Sequence, residues 1–349
     1  MTRKTIIAIA ALSFAFPGSM LAQKVGTSSL QFLKVMPTAR ATAMGDAYAT
    51  LATGADAVFW NPAGLSTSNG IEATSTLTMW LFDTRQGAIA AAIPIEDWGT
   101  FGVQLQYVDF GTIEETRVDH LGFSGTGTSQ KYNPGLTGAE FSPWSYLVGV
   151  TYARPMTDKF GIGVSVKFVQ ESLYGATTGS VIVPVSGGGT ATETYKTYAN
   201  SFLLDFGMLY NTGFRSIRIG VSVQNFGPQV KFAEETFPAP MALRFGTAAD
   251  LYGPNGLIGA DETNRLTAAY DIFQPNDYAQ QMHFGLEYEF AELIAIRAGY
   301  KNNYDSERFT YGGGVRSAVE GYLFRLDYSY AGMGEYLGAA HRISFGVHF

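Results

Sequence analysis

The chain ends in the run Arg342-Ile343-Ser344-Phe345-Gly346-Val347-His348-Phe349, in which apolar residues alternate with polar or small ones. Because successive side chains of a β-strand point to opposite sides, this run has one apolar face and one polar or small face. The same period of two recurs through most of the chain. Clear examples are 160–168, 217–224, 283–290, 294–300 and 324–330.

The length of these runs indicates where the strands lie. A tilted strand needs about 9–11 residues to cross a bilayer, whereas strands of soluble proteins average about 5–6. The pattern predicts an all-β fold, an antiparallel transmembrane β-barrel of about 14 strands, an even number as in bacterial single-chain barrels. The strands are expected to begin near residues 70, 85, 100, 143, 160, 196, 215, 238, 264, 279, 293, 307, 321 and 338.

Composition excludes several other classes of protein. Charged residues make up 15% of the 349 residues, against about 25% in soluble domains, and aromatic residues make up 14%. So many aromatic residues exclude a disordered chain, and the lack of 18 consecutive apolar residues excludes a helical membrane protein. The net charge of −7 argues against nucleic acid as a partner. The absence of cysteine excludes disulfides, thiolate metal sites and a cysteine nucleophile.

The N-terminus has the features of a targeting segment. Arg3 and Lys4 precede an apolar stretch at 6–16 that is too short to span a bilayer. Cleavage after Ala22 predicts a signal peptide over residues 1–22, with an ordinary N-terminal helix as the alternative. An exported chain that folds as a membrane barrel is expected in the outer membrane of a Gram-negative-type cell. This leader, together with the terminal Phe349, also argues against a soluble β-sandwich.

The predicted barrel, residues 70–349, is too wide to be filled by its own side chains. Fourteen tilted strands give a backbone diameter of roughly 28 Å, whereas side chains fill a barrel of about eight strands. Residues 23–69 do not alternate and are available to occupy the lumen. We therefore predict that 23–69 form a plug. A periplasmic tail outside the barrel is the alternative.

The plug is expected to be short and helical. Pro37 and the pair Asn61-Pro62 are typical of helix starts, with Asn61 as N-cap and Pro62 at the first helical position. A helical face is predicted over 41–51, where apolar residues recur at helical spacing. That face comprises Ala41, Met44, Tyr48 and Leu51.

Two stretches of this segment carry a family resemblance. Thr38-Ala-Arg-Ala-Thr-Ala-Met-Gly-Asp46, followed by Ala55-Asp-Ala-Val-Phe-Trp-Asn-Pro-Ala-Gly-Leu65, resembles the start of PorV/PorQ family outer-membrane proteins, and its Asn-Pro-Ala-Gly element is shared with the FadL fatty-acid transporter superfamily. The resemblance implies a fourteen-stranded FadL-like barrel with an N-terminal hatch. It also implies a role in type IX secretion, in which PorV binds the translocon and the C-terminal signal domains of cargo. Gly64 departs from the pattern, which has lysine after Asn-Pro-Ala. The plug residues of interest are Arg40, Met44, Gly45, Asp46, Asn61, Pro62 and Gly64.

Charged residues of both signs fall on the face predicted to line the lumen. The set includes Arg244, His283, Glu287, Arg297, Arg325, Asp327 and Arg342. Mixed signs fit a polar network that holds the plug, and solvated charges, as in a porin, are the alternative. We expect Asp46 to meet one of Arg297, Arg325 or Arg342. We expect Arg40 to meet Glu287 or Asp327.

Enzyme chemistry finds little support. The four histidines do not have metal-ligand spacing, and no Gly-x-Ser-x-Gly element is present. His283 and Glu287 lie on one strand face and are suited to orient a general base, but a polar lumen pair is the simpler interpretation. No cofactor and no metal are expected.

Three functions remain open. The first is an accessory of protein secretion that acts by contact with a translocon or secreted cargo. The second is a FadL-like channel for uptake of long-chain fatty acids or other hydrophobic solutes, and the third is a structural barrel without transport. Outer-membrane lipid and the barrel assembly machinery are expected partners in each case. The terminal Phe349 is predicted to be the assembly signal.

Overall fold

The fold was analysed in a computed structural model, which describes residues 26–124, 126–175, 178–184, 190–232 and 235–349. The predicted signal peptide, residues 1–22, lies outside the described residues. Within them there are twenty strands: β1 Glu72–Met79, β2 Arg85–Ile95, β3 Gly99–Asp109, β4 Ile113–Ser124, β5 Lys131–Phe141, β6 Trp144–Pro155, β7 Phe160–Ser172, β8 Thr178–Pro184, β9 Thr190–Lys196, β10 Tyr198–Asn211, β11 Arg218–Phe226, β12 Val230–Phe232, β13 Glu235–Phe237, β14 Ala242–Tyr252, β15 Asn264–Pro275, β16 Gln281–Phe290, β17 Ile294–Asn302, β18 Phe309–Val319, β19 Tyr322–Gly332 and β20 Ala339–His348.

In the residues that the structure describes, helical structure is confined to short pieces. They are the α-helices α1 Ala39–Ala43 and α2 Ala57–Trp60, and the 3₁₀ helices Gln31–Lys34, Gly54–Asp56, Pro62–Thr67 and Gly127–Ser129. Among the described residues, no helix has the length and apolar character that a membrane span requires.

Fourteen of the strands close into one antiparallel barrel. The order around the barrel is β1-β2-β3-β6-β7-β10-β11-β14-β15-β16-β17-β18-β19-β20. The barrel closes because β1 pairs with β20, in a register that runs from Glu72 opposite His348 to Met79 opposite His341. The predicted strand count is confirmed, and each predicted start lies within four residues of the observed one.

The two ends of the barrel differ. At one end, here called the hairpin end, two-stranded sheets β4–β5, β8–β9 and β12–β13 extend three of the connections. At the other, the terminal end, β1 begins and β20 ends. Connections at the terminal end are short except for 253–263. The two longest connections between barrel strands, 110–143 and 173–197, both lie at the hairpin end.

Side chains of the barrel strands alternate between an exposed apolar outer surface and a buried polar lumen, as the sequence pattern predicts. Outward-facing Ile89, Phe202 and Ile296 are 57–64% exposed, whereas the lumen-facing Gln104 and Ser222 are 3% and 1% exposed. Closure of the sheet pairs the backbone groups of the wall, which is what a strand needs in lipid. An apolar exterior around a polar lumen is the arrangement of a transmembrane β-barrel.

One prediction for the N-terminal segment is wrong and one is confirmed. The helical face expected over 41–51 does not form, because α1 ends at Ala43. Gly45 and Asp46 follow with φ of 65° and 63°, a left-handed conformation that ends a right-handed helix. The helix start at Asn61 is present as a 3₁₀ helix, whose Ala63 amide donates to the Asn61 side chain at 3.1 Å.

Candidate functional site between the plug segment and the lumen wall

Residues 28–68, here called the plug segment, lie inside the barrel. The side chains of Met44, Tyr48 and Trp60 are fully buried. Hydrogen bonds join the segment to strands on several sides of the wall, among them Thr42 to Ser329 of β19 at 2.7 Å. The two family motifs lie on different parts of the wall, so each is described separately.

The first motif half, 38–46, packs on β16–β20. The Ala39 amide donates to the Ser344 hydroxyl at 2.8 Å. Beyond α1 the chain passes so close to the wall that a Cβ at Gly299 would overlap the Gly45 nitrogen. Gly285 contacts Met44 in the same way. Glycines on the wall thus admit the Met44-Gly45 backbone.

A chain of ion pairs joins the plug segment to this part of the wall. Arg40 donates to both carboxylate oxygens of Glu287, at 2.8 and 2.6 Å, and this predicted pair is confirmed. Arg297 bridges Glu287 at 2.5 Å and Asp327 at 2.7 Å.

The chain of ion pairs returns to the plug segment through Arg325. This residue contacts Asp327 at 3.0 Å and donates to Asp56 at 2.5 Å. Separation of the plug segment from the wall would leave buried arginines without their carboxylate partners, which is costly. The ion-pair chain therefore couples the plug segment to the wall.

The expected partners of Asp46 are wrong. Asp46 accepts from Lys301 at 2.5 Å, and Lys301 also donates to Glu307 at 2.7 Å. Arg297 and Arg325 are engaged in the ion-pair chain described above, so neither is available to pair with Asp46. Burial raises the pKa of Asp46, but the charge and hydrogen bond of Lys301, together with nearby His283 and Arg244, outweigh this effect, and the pKa is lowered. Asp46 is thus held as a carboxylate.

Sequence reasoning missed Lys301 although the signal was available. Lys301 stands four residues after Arg297 and therefore shares its lumen-facing phase on β17. A second contact that the sequence did not predict involves Asp271 of β15, which has the lumen-facing phase and accepts hydrogen bonds from the backbone amides of Tyr48 and Ala49 at 2.9 and 2.8 Å. The phase of Asp271 alone could not identify this contact, because the donor amides belong to a turn that the sequence did not predict.

Asp56 of the second motif half, 55–65, belongs to the ion-pair chain, and the remainder, 57–65, contacts the wall mainly through its backbone. Asn61 donates to the carbonyls of Ala49 at 2.7 Å and Met208 at 3.2 Å. A Cβ at Gly207 would overlap the Asn61 side chain, and one at Gly163 would overlap the Pro62 backbone. The wall here is complementary in shape rather than in charge.

Neutral side chains complete this contact. Gln104 donates to the Val58 carbonyl at 3.0 Å, and Gln224 donates to the Phe59 carbonyl at 2.7 Å. The last carbonyls of a helix have no hydrogen-bond donors within the helix. At the end of α2 the glutamines of the wall supply these donors.

The structure also accounts for the departure at Gly64. A Cβ at this position would overlap the Ala52 carbonyl oxygen. A lysine side chain does not fit there unless the plug backbone moves. Gly64 therefore belongs to the way this plug segment folds on itself.

The remaining predicted residues of the lumen network lie apart from the ion-pair chain. Arg244 lies between the rings of Trp60, 5.1 Å away, and Phe273, 4.1 Å away. Arg342 donates to the Met36 carbonyl at 3.1 Å. In the described part of the chain neither arginine has a carboxylate within ion-pair distance, so Arg342 is not the partner of Asp46.

His283 and Glu287 do not form the pair considered for a general base. His283 Nε2 lies 2.8 Å from the Tyr304 hydroxyl, and Nδ1 lies 3.4 Å from Arg244. Glu287 is engaged by Arg40 and Arg297 instead. Among the described residues no group of three His, Asp or Glu side chains is placed to hold a metal ion.

Phe349 lies on the outer face at the terminal end. Its ring is 54% exposed and packs edge-on against Tyr322, with centroids 5.5 Å apart. Its amide donates to the Ile71 carbonyl at 2.9 Å. Its role as an assembly signal stays a prediction.

A cavity of about 340 Å³ lies above the plug segment at the hairpin end. Its wall combines charged groups with apolar ones. It is lined in part by Lys34, Asp46, Trp80, Arg244, Phe273 and Lys301.

Two solved structures resemble this fold. The chain resembles the Pseudomonas putida toluene transporter TodX, with a TM-score of 0.55 and 16% identity over 88% of this chain and 96% of that one. It resembles a Pseudomonas aeruginosa FadL homologue with a TM-score of 0.51 and 10% identity, over 90% and 98% of the two chains. At such identities the likeness concerns the fold alone. No curated protein matches the sequence.

The sequence itself matches a known family. The family described as "Type IX secretion system protein PorV" matches residues 19–272, which is well over half of the chain. The match includes both motif halves of the plug segment and the barrel strands from β1 to the greater part of β15. With its closed barrel, polar lumen and apolar exterior, the chain is an outer-membrane β-barrel protein that belongs to the PorV family.

Proposed function

We propose that this protein is a non-enzymatic accessory of type IX protein secretion, which acts by protein contact while the plug segment keeps its lumen closed. The observation that carries the proposal is the buried ion-pair chain from Arg40 to Asp56, which begins and ends in the plug segment. A lumen closed in this way is poorly suited to free diffusion of solutes. Function then depends on surfaces outside the lumen.

The hairpin β4–β5 offers such a surface. Val118 is 84% exposed, and Phe123 is 68% exposed and packs against Tyr132 with ring centroids 5.3 Å apart. Exposed apolar side chains on a sheet beyond the barrel mark a protein contact. Charged neighbours such as Arg117 and Asp119 make the hairpin amphipathic. A translocon subunit or a secreted cargo domain is the partner we propose.

Co-purification after mild detergent extraction tests this proposal. We expect the native protein to retain a large partner complex, and we expect Val118→Asp with Phe123→Asp to release it. Tyr336→Ser is the matched control, because Tyr336 is 92% exposed in another hairpin-end connection. A complex retained by the double variant contradicts contact through β4–β5. Bound lipid without any protein partner contradicts the secretion role.

Uptake of hydrophobic solutes is the second candidate, favoured by the cavity above the plug segment and by the fold shared with TodX and a FadL homologue. Apolar Trp80, Phe273 and Met333 contribute to the cavity lining. Fluorescent fatty acid supplied to proteoliposomes distinguishes the candidates. Entry above that of protein-free liposomes, abolished by Ala242→Trp in the cavity wall, supports uptake. Equal entry into proteoliposomes and protein-free liposomes excludes uptake by this protein.

A further inference from the structure

A groove runs across the outer, membrane-facing surface of β14–β18. Its volume is about 720 Å³. Its floor is made of three small outward-facing residues, Ala249, Ala268 and Ala298, together with Leu286. Ala249 pairs with Ala268, and Leu286 lies opposite both Ala268 and Ala298. The floor is therefore continuous across four strands.

An unbroken row of aromatic rings forms the rim toward the hairpin end. Tyr270, Phe284, Tyr300 and Phe309 follow one another with ring centroids 4.9, 6.4 and 5.0 Å apart. Large rings beside alanines create a step in the wall deep enough to hold a chain of methylene groups. Hydrocarbon in this step gains contacts that a flat barrel surface does not provide.

The other end of the groove is shaped by the long connection 253–263 at the terminal end of the barrel. Leu257 lines the groove, and its amide donates to the Asp250 carbonyl at 2.9 Å. Ile258 next to it is 66% exposed. This connection thus adds an apolar shelf where the barrel meets the membrane–water boundary.

A cation stands at the mouth of the groove. Arg215 donates to the Gly256 carbonyl at 2.5 Å, next to the groove-lining Leu257. The arginine is exposed, and within the described residues it has no carboxylate partner. A guanidinium with free donors at a membrane boundary matches a phosphate group.

We propose that this surface binds one phospholipid of the leaflet at the terminal end, with an acyl chain in the alanine groove and the phosphate on Arg215. The apolar lining faces the bilayer, so hydrocarbon is the material that covers it. Arg215 then fixes the headgroup end of the same molecule.

Native mass spectrometry of delipidated full-length protein tests the proposal, with phosphatidylglycerol and diacylglycerol of identical chains as probes. We expect one phosphatidylglycerol to bind, and we expect Ala298→Trp to weaken both probes about tenfold by filling the groove. Arg215→Gln is expected to weaken phosphatidylglycerol about tenfold and to leave diacylglycerol unchanged. Ala91→Trp, at an outward position of β2 far from the groove, is the control for a bulky ring on the barrel.

Each contrary outcome overturns a stated part of this site. Equal binding by the native protein, Ala298→Trp and Ala91→Trp contradicts the groove. Equal loss of both probes in Arg215→Gln contradicts the phosphate contact. Ala268→Leu serves as a second groove variant, and heat-modifiable mobility in gels verifies that each barrel is folded. A protein partner that remains bound in place of lipid and is lost in Ala298→Trp contradicts the lipid assignment.

Discussion

The two motif halves of the plug segment meet different walls. The first half, 38–46, faces β16–β20, where Glu287, Arg297 and Asp327 form the buried ion-pair chain. Apart from Asp56, which ends the ion-pair chain, the second half faces β3, β7, β10 and β11 through residues 57–65, and glycines and neutral amides surround the backbone there. A charged wall depends on each partner, because removal of one leaves buried charge behind. A neutral wall depends on shape, because close packing tolerates little added volume.

The largest effect is expected in the charged wall. Glu287→Gln removes the carboxylate shared by Arg40 and Arg297, and breaking a buried pair from one side costs about 3–5 kcal/mol. Urea unfolding followed by tryptophan fluorescence is expected to show a lower midpoint. Glu292→Gln is the control, since Glu292 is 72% exposed and its pair with Arg265 is worth about 0–1 kcal/mol. Equal midpoints for the two variants would contradict the importance of the ion-pair chain.

The neutral wall is expected to respond to volume. Gly163→Val places a side chain against the Pro62 backbone, and overpacking of this kind costs about 1–3 kcal/mol. Limited trypsin digestion is expected to cleave after Arg40 faster than in the native protein. Gly87→Val is the matched control, because a Cβ there meets no atom within 4 Å. If both valine variants resist trypsin equally, shape does not hold the second half.

Loss of the helix N-cap at Asn61 is expected to loosen the plug segment less than Gly163→Val does. Asn61→Ala removes the acceptor of the Ala63 amide, which costs about 0.5–2 kcal/mol. Its donors to the Ala49 and Met208 carbonyls are lost as well. The rate of trypsin cleavage is expected to lie between those of native protein and Gly163→Val. Asn69→Ala, outside the 3₁₀ helix, provides the baseline, and a rate equal to it would show that the cap is dispensable.

The smallest effect concerns the N-terminal end of the plug segment. Asp277 accepts from Ser28 at 2.5 Å and from the partly exposed Lys34. Burial raises the pKa of Asp277, but these donors outweigh it and the pKa is lowered. The contact is therefore fully present above the usual aspartate pKa of about 3.9 and is lost as pH falls through the lower folded value.

Amide exchange of Ser29, which donates to the Pro238 carbonyl, reports this loss. After correction for intrinsic rates, we expect protection to fall between pH 5 and pH 3 in native protein. Asp277→Asn is expected to show the same protection at both values. A pH dependence that persists in Asp277→Asn would assign the effect to another group.

The barrel was predictable from sequence and the plug contacts were predictable only in part. Period-two alternation is a local property, so strands such as β15 and β20 were located from their own residues. The pairing of Arg40 with Glu287 followed from charge and lumen phase. The pairing of Asp46 with Lys301 did not, because several cations shared that phase and only the left-handed turn at Gly45 decides which one is reached.

The wall glycines were the hardest feature to predict. Gly163, Gly207 and Gly299 occupy lumen positions of ordinary strands, where glycine has no distinctive pattern. Their role appears only when the plug backbone is placed against them. The same applies to the outer groove, since its alanines come from β14, β15 and β17 and line up only through the registers of these strands with their neighbours.

Conductance in planar bilayers tests most directly whether the plug segment closes the lumen. We compare the intact protein with a variant that lacks residues 23–69 but keeps the signal peptide. A lumen roughly 28 Å across is too wide to be filled by the side chains of its fourteen strands. Removal of the plug segment is therefore expected to leave it open. We expect silence or brief flickers from the intact protein and a large steady conductance from the deletion variant. Large and equal conductance from both would contradict it.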